Sequence, residues 1–154
     1  MSDTNPTPAV VIERTFDASV DFIWKLWTEP EHLKAWYGPE GASIPVAKMD
    51  LRVGGQRLIS MEIQTPSGPM HMWFSGEYRD LVENRLLVYT ETISDENGKA
   101  MSDLTEVRVE FEELGDRTRL VVTHVGIPAG SPGAVGWNAA LAKLAVYAES
   151  QRGG

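Results

Sequence analysis

The sequence contains no cysteine. Disulfides, thiolate nucleophiles, cysteine-ligated metals and thiol redox sensing are therefore excluded. Basic residues are scarce beside acidic ones: 14 Lys and Arg stand against 22 Asp and Glu, a formal charge of −8 over 154 residues. A surface of that sign repels phosphate backbones and anionic bilayers, and no Lys/Arg cluster overrides it locally, so no nucleic-acid partner is expected. No apolar run approaches the roughly 18–20 residues needed to cross a bilayer, so no membrane insertion is expected. The three histidines, His32, His71 and His124, do not stand at metal-ligand spacing, and neither a metal site nor a cofactor is expected. Also missing are a phosphate loop, a nucleophile elbow and a Ser/His/Asp set. Val53-Gly54-Gly55 follows one strand pattern and precedes another, which marks a hairpin turn rather than a phosphate cradle.

What is present fits one domain with a real core: 42% of residues are hydrophobic and 23% charged. Residues 1–9 lack the basic start and apolar stretch of a secretion signal and read as a short disordered lead, with a cytoplasmic location expected. Residues 10–150 read as a single domain without internal repeats. Val10–Phe16 reads as a strand, with Arg14 on the same face as Ile12 and Phe16. Asp17-Ala-Ser19 offers caps for a helix over Ser19 to Trp27, in which Phe22/Leu26 and Ile23/Trp27 stand four apart. Thr28-Glu-Pro-Glu31 matches a capping box and predicts a second short helix through Leu33 and Trp36, stopped by Gly38-Pro39. Strand patterns follow at Val46–Leu51, Gln56–Ile63, Met70–Arg79, Arg85–Ile93, Thr105–Phe111 and Thr118–His124. Asn97-Gly98 centres the strongest turn signal. About seven strands joined by tight turns, with no helix between them, predict an antiparallel meander. Gly130–Gly136 reads as a loop and Trp137–Glu149 as the last helix, with Trp137, Leu141, Leu144 and Ala148 on one side.

In each strand one alternate set is apolar: Ile59, Met61 and Ile63; Met70, Met72, Phe74 and Tyr78; Val107, Val109 and Phe111. If these sets face the last helix, the interior is methionine-rich, aromatic and sparsely polar. Methionine suits adaptable pockets as well as gap-filling in a core. The polar residues in those sets are the informative ones. His124 alternates with Leu120 and Val122, and Tyr89 and Glu91 share parity with Leu87 and Ile93. His124 reads either as a satisfied interior histidine or as a polar anchor or acid/base with Glu91 as partner. Glu91 could equally face solvent, because Leu86 and Val88 are also apolar.

Several segments carry a resemblance to a known family. They are Arg14-Thr-Phe16-Asp17-Ala18, Val20 with Trp24, Thr28-Glu-Pro-Glu-His-Leu33, Trp36-Tyr-Gly-Pro39, Asp50-Leu-Arg-Val-Gly-Gly55, Met61 with Gly68, Gly76-Glu-Tyr78, Arg85-Leu86 and Gly136-Trp137. In that order they resemble the START-like (SRPBCC) superfamily, in the branch named for the C-terminal domain of the activator of the heat-shock-protein-90 ATPase. The resemblance spans about residues 10–149. It implies an α+β helix-grip fold: a curved antiparallel sheet wrapped around a long C-terminal helix, with two short helices after the first strand and a cavity between. It carries no shared catalytic motif to transfer, and the branch name does not imply chaperone activity.

Three functions stay open. The leading one is binding of a small hydrophobic or aromatic molecule between sheet and last helix, with Trp36, Met61, Met72, Phe74, Tyr89, His124, Trp137 and Leu141 as candidate lining residues. The second is an enzyme of cyclase, hydrolase or isomerase type, in which His124 with Tyr89 or Glu91 moves protons on an aromatic or polyketide-like substrate. The third is a stress-linked or co-chaperone-like interaction role through an apolar patch around Trp73 on the outer sheet face, where a homodimer contact is the simpler alternative. The loop from Ile127 to Val135 is a candidate gate.

Overall fold

The computed structural model describes residues 9–39, 41–95, 97, 99–102, 104–127 and 132–152, the backbone alone at 132–134 and 152. The chain runs β1 (Ala9–Phe16), α1 (Val20–Thr28), α2 (Pro30–Leu33), β2 (Ala42–Met49), β3 (Gln56–Thr65), β4 (Gly68–Val82), β5 (Leu86–Ser94), β6 (Thr105–Leu114), β7 (Arg117–Val125) and α3 (Pro132–Arg152). All seven strands join one antiparallel sheet in the order β1-β7-β6-β5-β4-β3-β2. From β2 to β7 each strand therefore pairs with its neighbour in sequence, as short turns demand. β1 closes the order by pairing with β7, the last strand. This is the expected helix-grip architecture.

The early helices sit where capping chemistry puts them. Ser19 Oγ accepts the Phe22 amide at 3.3 Å and Asp21 stands in the first turn of α1, where the dipole favours a carboxylate. The buried face of α1 is Val20, Ile23, Trp24, Leu26 and Trp27. Gly38, at φ +89°, ends the turn after α2, and it is this left-handed conformation that requires glycine, with the Met61 side chain packed directly against it. α3 lies against β1 and α1, and its buried stripe is Trp137, Leu141, Leu144 and Ala148. Each fully buried leucine of that stripe contributes about 2 kcal/mol.

Several expectations need correction. The capping box at Thr28 does not form: Thr28 is the last residue of α1, its hydroxyl donates to the Trp24 carbonyl, and Glu29 caps α2 without a side-chain bond. The last helix begins at Pro132, not Trp137, so 132–136 are helical rather than loop. Proline is tolerated in a first turn, where its missing N–H would have had no partner. The rest of the candidate gate, 128–131, lies outside the described residues, as do Gly98 of the Asn97-Gly98 turn and residues 1–8 of the lead. Ala9 belongs to β1, opposite Val125. β2 starts at Ala42 and accommodates Pro45 at a register shift between Ser43 and Val46, where no ladder donor is needed. Of the Gly54-Gly55 pair only Gly54 has positive φ (+84°). Gly55 is required instead by the Asp50 carbonyl, which would stand 2.0 Å from a Cβ.

Candidate functional site

The register sorts the concave face of the sheet into rows that cross the strands. One row carries Val10, His124, Val107, Tyr89 and Tyr78. On one side of it lie Ile12, Val122, Val109, Leu87 and Leu81, an apolar row buried beneath α1 and α3 from Val122 to Leu87. On the other side comes a polar row. Thr105 faces Glu91, and Arg57 faces Gly76. Because Ser75 lies opposite Thr92 and Tyr78 opposite Tyr89, Glu91 falls across from Gly76. Beyond the polar row the face is apolar again: Ile59, Phe74 and Ile93, then Met61 and Met72, then Ile63 and Met70. A polar stripe thus divides a closed apolar half from a second apolar half.

The stripe closes on itself across Gly76, where the Arg57 guanidinium reaches over β4 to Glu91, Nη1 to Oε2 at 3.4 Å. Arg57 is only 3% exposed and Glu91 12%. The guanidinium also lies over the Tyr89 ring, 3.9 Å from its centroid, and 5.1 Å from that of Tyr37. Tyr37 donates to Glu91 Oε2 at 3.1 Å, so the 2.9 Å contact between Tyr89 and Tyr37 hydroxyls has Tyr89 as donor. The result is a directed chain from Tyr89 through Tyr37 to the carboxylate. Burial, then the Glu91 charge, pushes the Tyr37 pKa well up, with Arg57 opposing; burial also raises Tyr89 and Tyr78. The tyrosines are therefore neutral donors. The Tyr78 hydroxyl is buried in the same cluster, beside the Arg57 guanidinium.

His124 is held from both sides. Trp137 Nε1, which can only donate, bonds Nδ1 at 2.9 Å. Thr105 Oγ1 gives its proton to the Glu91 carbonyl at 2.9 Å, so its 2.8 Å contact with His124 is donated by Nε2–H. The network thus assigns a neutral ring with its proton on Nε2. Burial lowers the pKa of His124, and the Glu91 charge opposes that shift. His124 and Trp137 meet directly rather than across a gap. The link from His124 to Glu91 runs through Thr105 to the backbone carbonyl of Glu91, not to its carboxylate.

The other candidates divide between the two halves. Trp36 and Leu141 are fully buried in the closed half, where Trp36 gives its indole N–H to the Leu26 carbonyl at 2.9 Å. Trp137 stacks on Trp27 and meets Tyr37 edge-on. Met61 is buried under Gly38, whereas Met72 and Phe74 are half-buried. Trp73 sits on the convex face, half-buried and stacked on His71. Three members of the polar stripe, Arg57, Tyr37 and Thr105, are not among the residues expected from the sequence. Arg57 shares parity with Ile59 and Met61, which is the signal available for it. A groove of about 650 Å³ lies on the convex face over Leu86, Arg108, Glu110, Arg119 and Val121, away from all of these candidates.

Among the described residues no helix is long and apolar enough to cross a membrane. No curated protein matches the chain. Among solved structures, a protein from Nitrosomonas europaea has a TM-score of 0.78 at 22% identity, over 96% of this chain and 97% of that one. A solution structure from Arthrobacter aurescens reaches 0.80 at 21% identity, covering 94% and 87%. The AHSA1 protein of Silicibacter pomeroyi reaches 0.73 at 22% identity, covering 93% and 99%. At such identities the likeness is one of fold. Residues 17–149 match the family described as activator of Hsp90 ATPase homolog 1-like protein, and the chain belongs to that family.

Proposed function

We propose that the chain binds a small hydrophobic or aromatic molecule on the concave side of the sheet, between the outer rows of β3–β5 and α3. One observation carries this reading. Beyond the polar stripe the concave face remains apolar while its cover thins: Met70 is 46% and Ile93 40% exposed, with Ile63, Met72 and Phe74 half-buried between them. A contiguous apolar face of this kind, bordered by a few convergent polar groups, has the composition of a ligand pocket. Three methionines, Met61, Met70 and Met72, line it with side chains that adapt to irregular shapes. Tyr89, His124 and Trp137 border it, while Trp36 and Leu141 form the packed wall behind.

The test is a titration of protein labelled at its methionine and valine methyl groups with 1-methylnaphthalene, followed by NMR. The methyl signals of Met61, Met70 and Met72 are expected to shift together and saturate, while those of Val146, on the solvent side of α3, stay in place. Unmoved methionine signals up to the solubility limit of the probe would overturn the reading.

A further inference from the structure

We propose that the molecule bound here is a neutral hydroxyl compound whose O–H docks at Glu91 and Arg57 while its apolar body lies on Phe74, Met72 and Ile93. The inference rests on the reading of the concave face as a binding site and adds the chemistry of the ligand.

The argument starts from what the polar stripe leaves unused. Both side-chain contacts to the Glu91 carboxylate, from Tyr37 and Arg57, fall on Oε2. Among the described residues no hydrogen bond reaches Oε1, and the side chain keeps part of its surface open. A carboxylate oxygen there accepts a proton donor and offers nothing to an acceptor. Arg57 carries five N–H donors, of which Glu91 takes one at 3.4 Å and the neighbouring Tyr37 and Tyr78 hydroxyls draw on two more, which leaves donors over. An acceptor site and spare donors thus stand side by side at the edge of an apolar face. A hydroxyl group satisfies both at once, giving its proton to Glu91 and taking one from Arg57.

Charge selects against the alternatives. Arg57 and Glu91 already neutralise each other in a site shielded from water. A ligand carboxylate would add a second negative charge beside Glu91, and an ammonium a second positive charge beside Arg57. Either leaves a net charge in a poorly solvated position, which is costly. A neutral hydroxyl does not. The register fixes which part of the ligand is apolar: Ile93 and Phe74 are the next row out from Glu91 and Gly76, so the body attached to the hydroxyl lies on them.

Three probes of one size separate the possibilities: 1-naphthol, 1-methylnaphthalene and 1-naphthoate, titrated calorimetrically at neutral pH into the full chain and its Glu91→Gln variant. Wild type is expected to bind 1-naphthol about tenfold tighter than 1-methylnaphthalene, the difference of one charge-assisted hydrogen bond, and to bind 1-naphthoate most weakly. In Glu91→Gln the amide oxygen keeps the Tyr37 and Arg57 donors and turns its NH₂ toward the ligand, so the naphthol advantage is expected to vanish while 1-methylnaphthalene affinity stays within about threefold. Equal binding of naphthol and methylnaphthalene to wild type overturns the hydroxyl inference and leaves the apolar site standing. So does tightest binding of naphthoate, which would make Arg57 an anion anchor. Failure of all three probes to bind overturns the site itself. The wild-type comparison decides the matter even if the variant does not fold.

Discussion

His124 shows how one hydrogen-bond network fixes both a side chain's charge and its contribution to stability. The native ring is neutral because Trp137 needs its Nδ1 lone pair and burial disfavours the cation. The unfolded chain takes up a proton near the ordinary value of 6.5, whereas the native state does so only at lower pH. Below that ordinary value the unfolded state binds more protons, so stability falls with falling pH until the lowered native pKa is reached. Replacing His124 by Leu is expected to cost about 1–3 kcal/mol at pH 7.5, because the Trp137 indole loses its acceptor. The gap between wild type and variant should then narrow on going to pH 5. Urea unfolding of both proteins at the two pH values measures it; a gap that widens contradicts the assigned ring state.

The buried Arg57–Glu91 pair makes a second prediction. Glu91→Ala strands the guanidinium, and a loss of roughly 3 kcal/mol is expected, whereas the double variant Arg57→Met/Glu91→Ala should recover part of it. Denaturant midpoints of the three variants decide. His124, Tyr89 and Glu91 are legible in the sequence because each interrupts or extends an apolar alternation. Tyr37 is not, since a residue in a turn after a short helix carries no periodicity that gives its direction. Arg57 escapes a sequence reading although its parity is plain, because a charged residue at a strand start is ordinarily solvated.

Among the elements, strands are more legible than helix boundaries. Period-2 patterns locate all seven strands to within a few residues, and the sequential turns give the meander. The pairing of β1 with β7 joins residues more than a hundred positions apart, and only the family resemblance points to it. The start of α3 is hidden because Pro132, Gly133 and Gly136 weigh against helix locally, while packing of the stripe from Trp137 onward overrides propensity. Gly136 consequently sits in a helix at ordinary φ, and a Cβ there would meet only that of Pro39, at 3.9 Å. Gly136→Ala should therefore raise stability by about 0.5–1 kcal/mol, read as a higher melting temperature. Gly76 is the opposite case. A Cβ there would lie 1.8 Å from the Thr90 carbonyl, so Gly76→Ala must displace the backbone of β4 or β5 and is expected to destabilise strongly.

At the scale of the whole molecule, the stripe divides the sheet into parts of unequal firmness. Val107, Val109, Leu120 and Val122 are buried in paired central strands, whereas Ile63, Met70 and Met72 lie where β3 and β4 run out toward their turn. Hydrogen exchange should find the first group opening only with global unfolding and the second by local fluctuation. Binding of 1-methylnaphthalene should then slow exchange in the second group alone; uniform slowing would contradict the division.

Trp27 and Trp137 lie 5.9 Å apart between ring centroids and only 21° from parallel. Two indoles so close have coupled electronic transitions, and because one belongs to α1 and the other to α3, the coupling exists only while those helices are docked. The chain therefore carries its own optical gauge of closure. The difference in near-ultraviolet circular dichroism between wild type and Trp137→Phe follows the seating of α3 against α1 without any label.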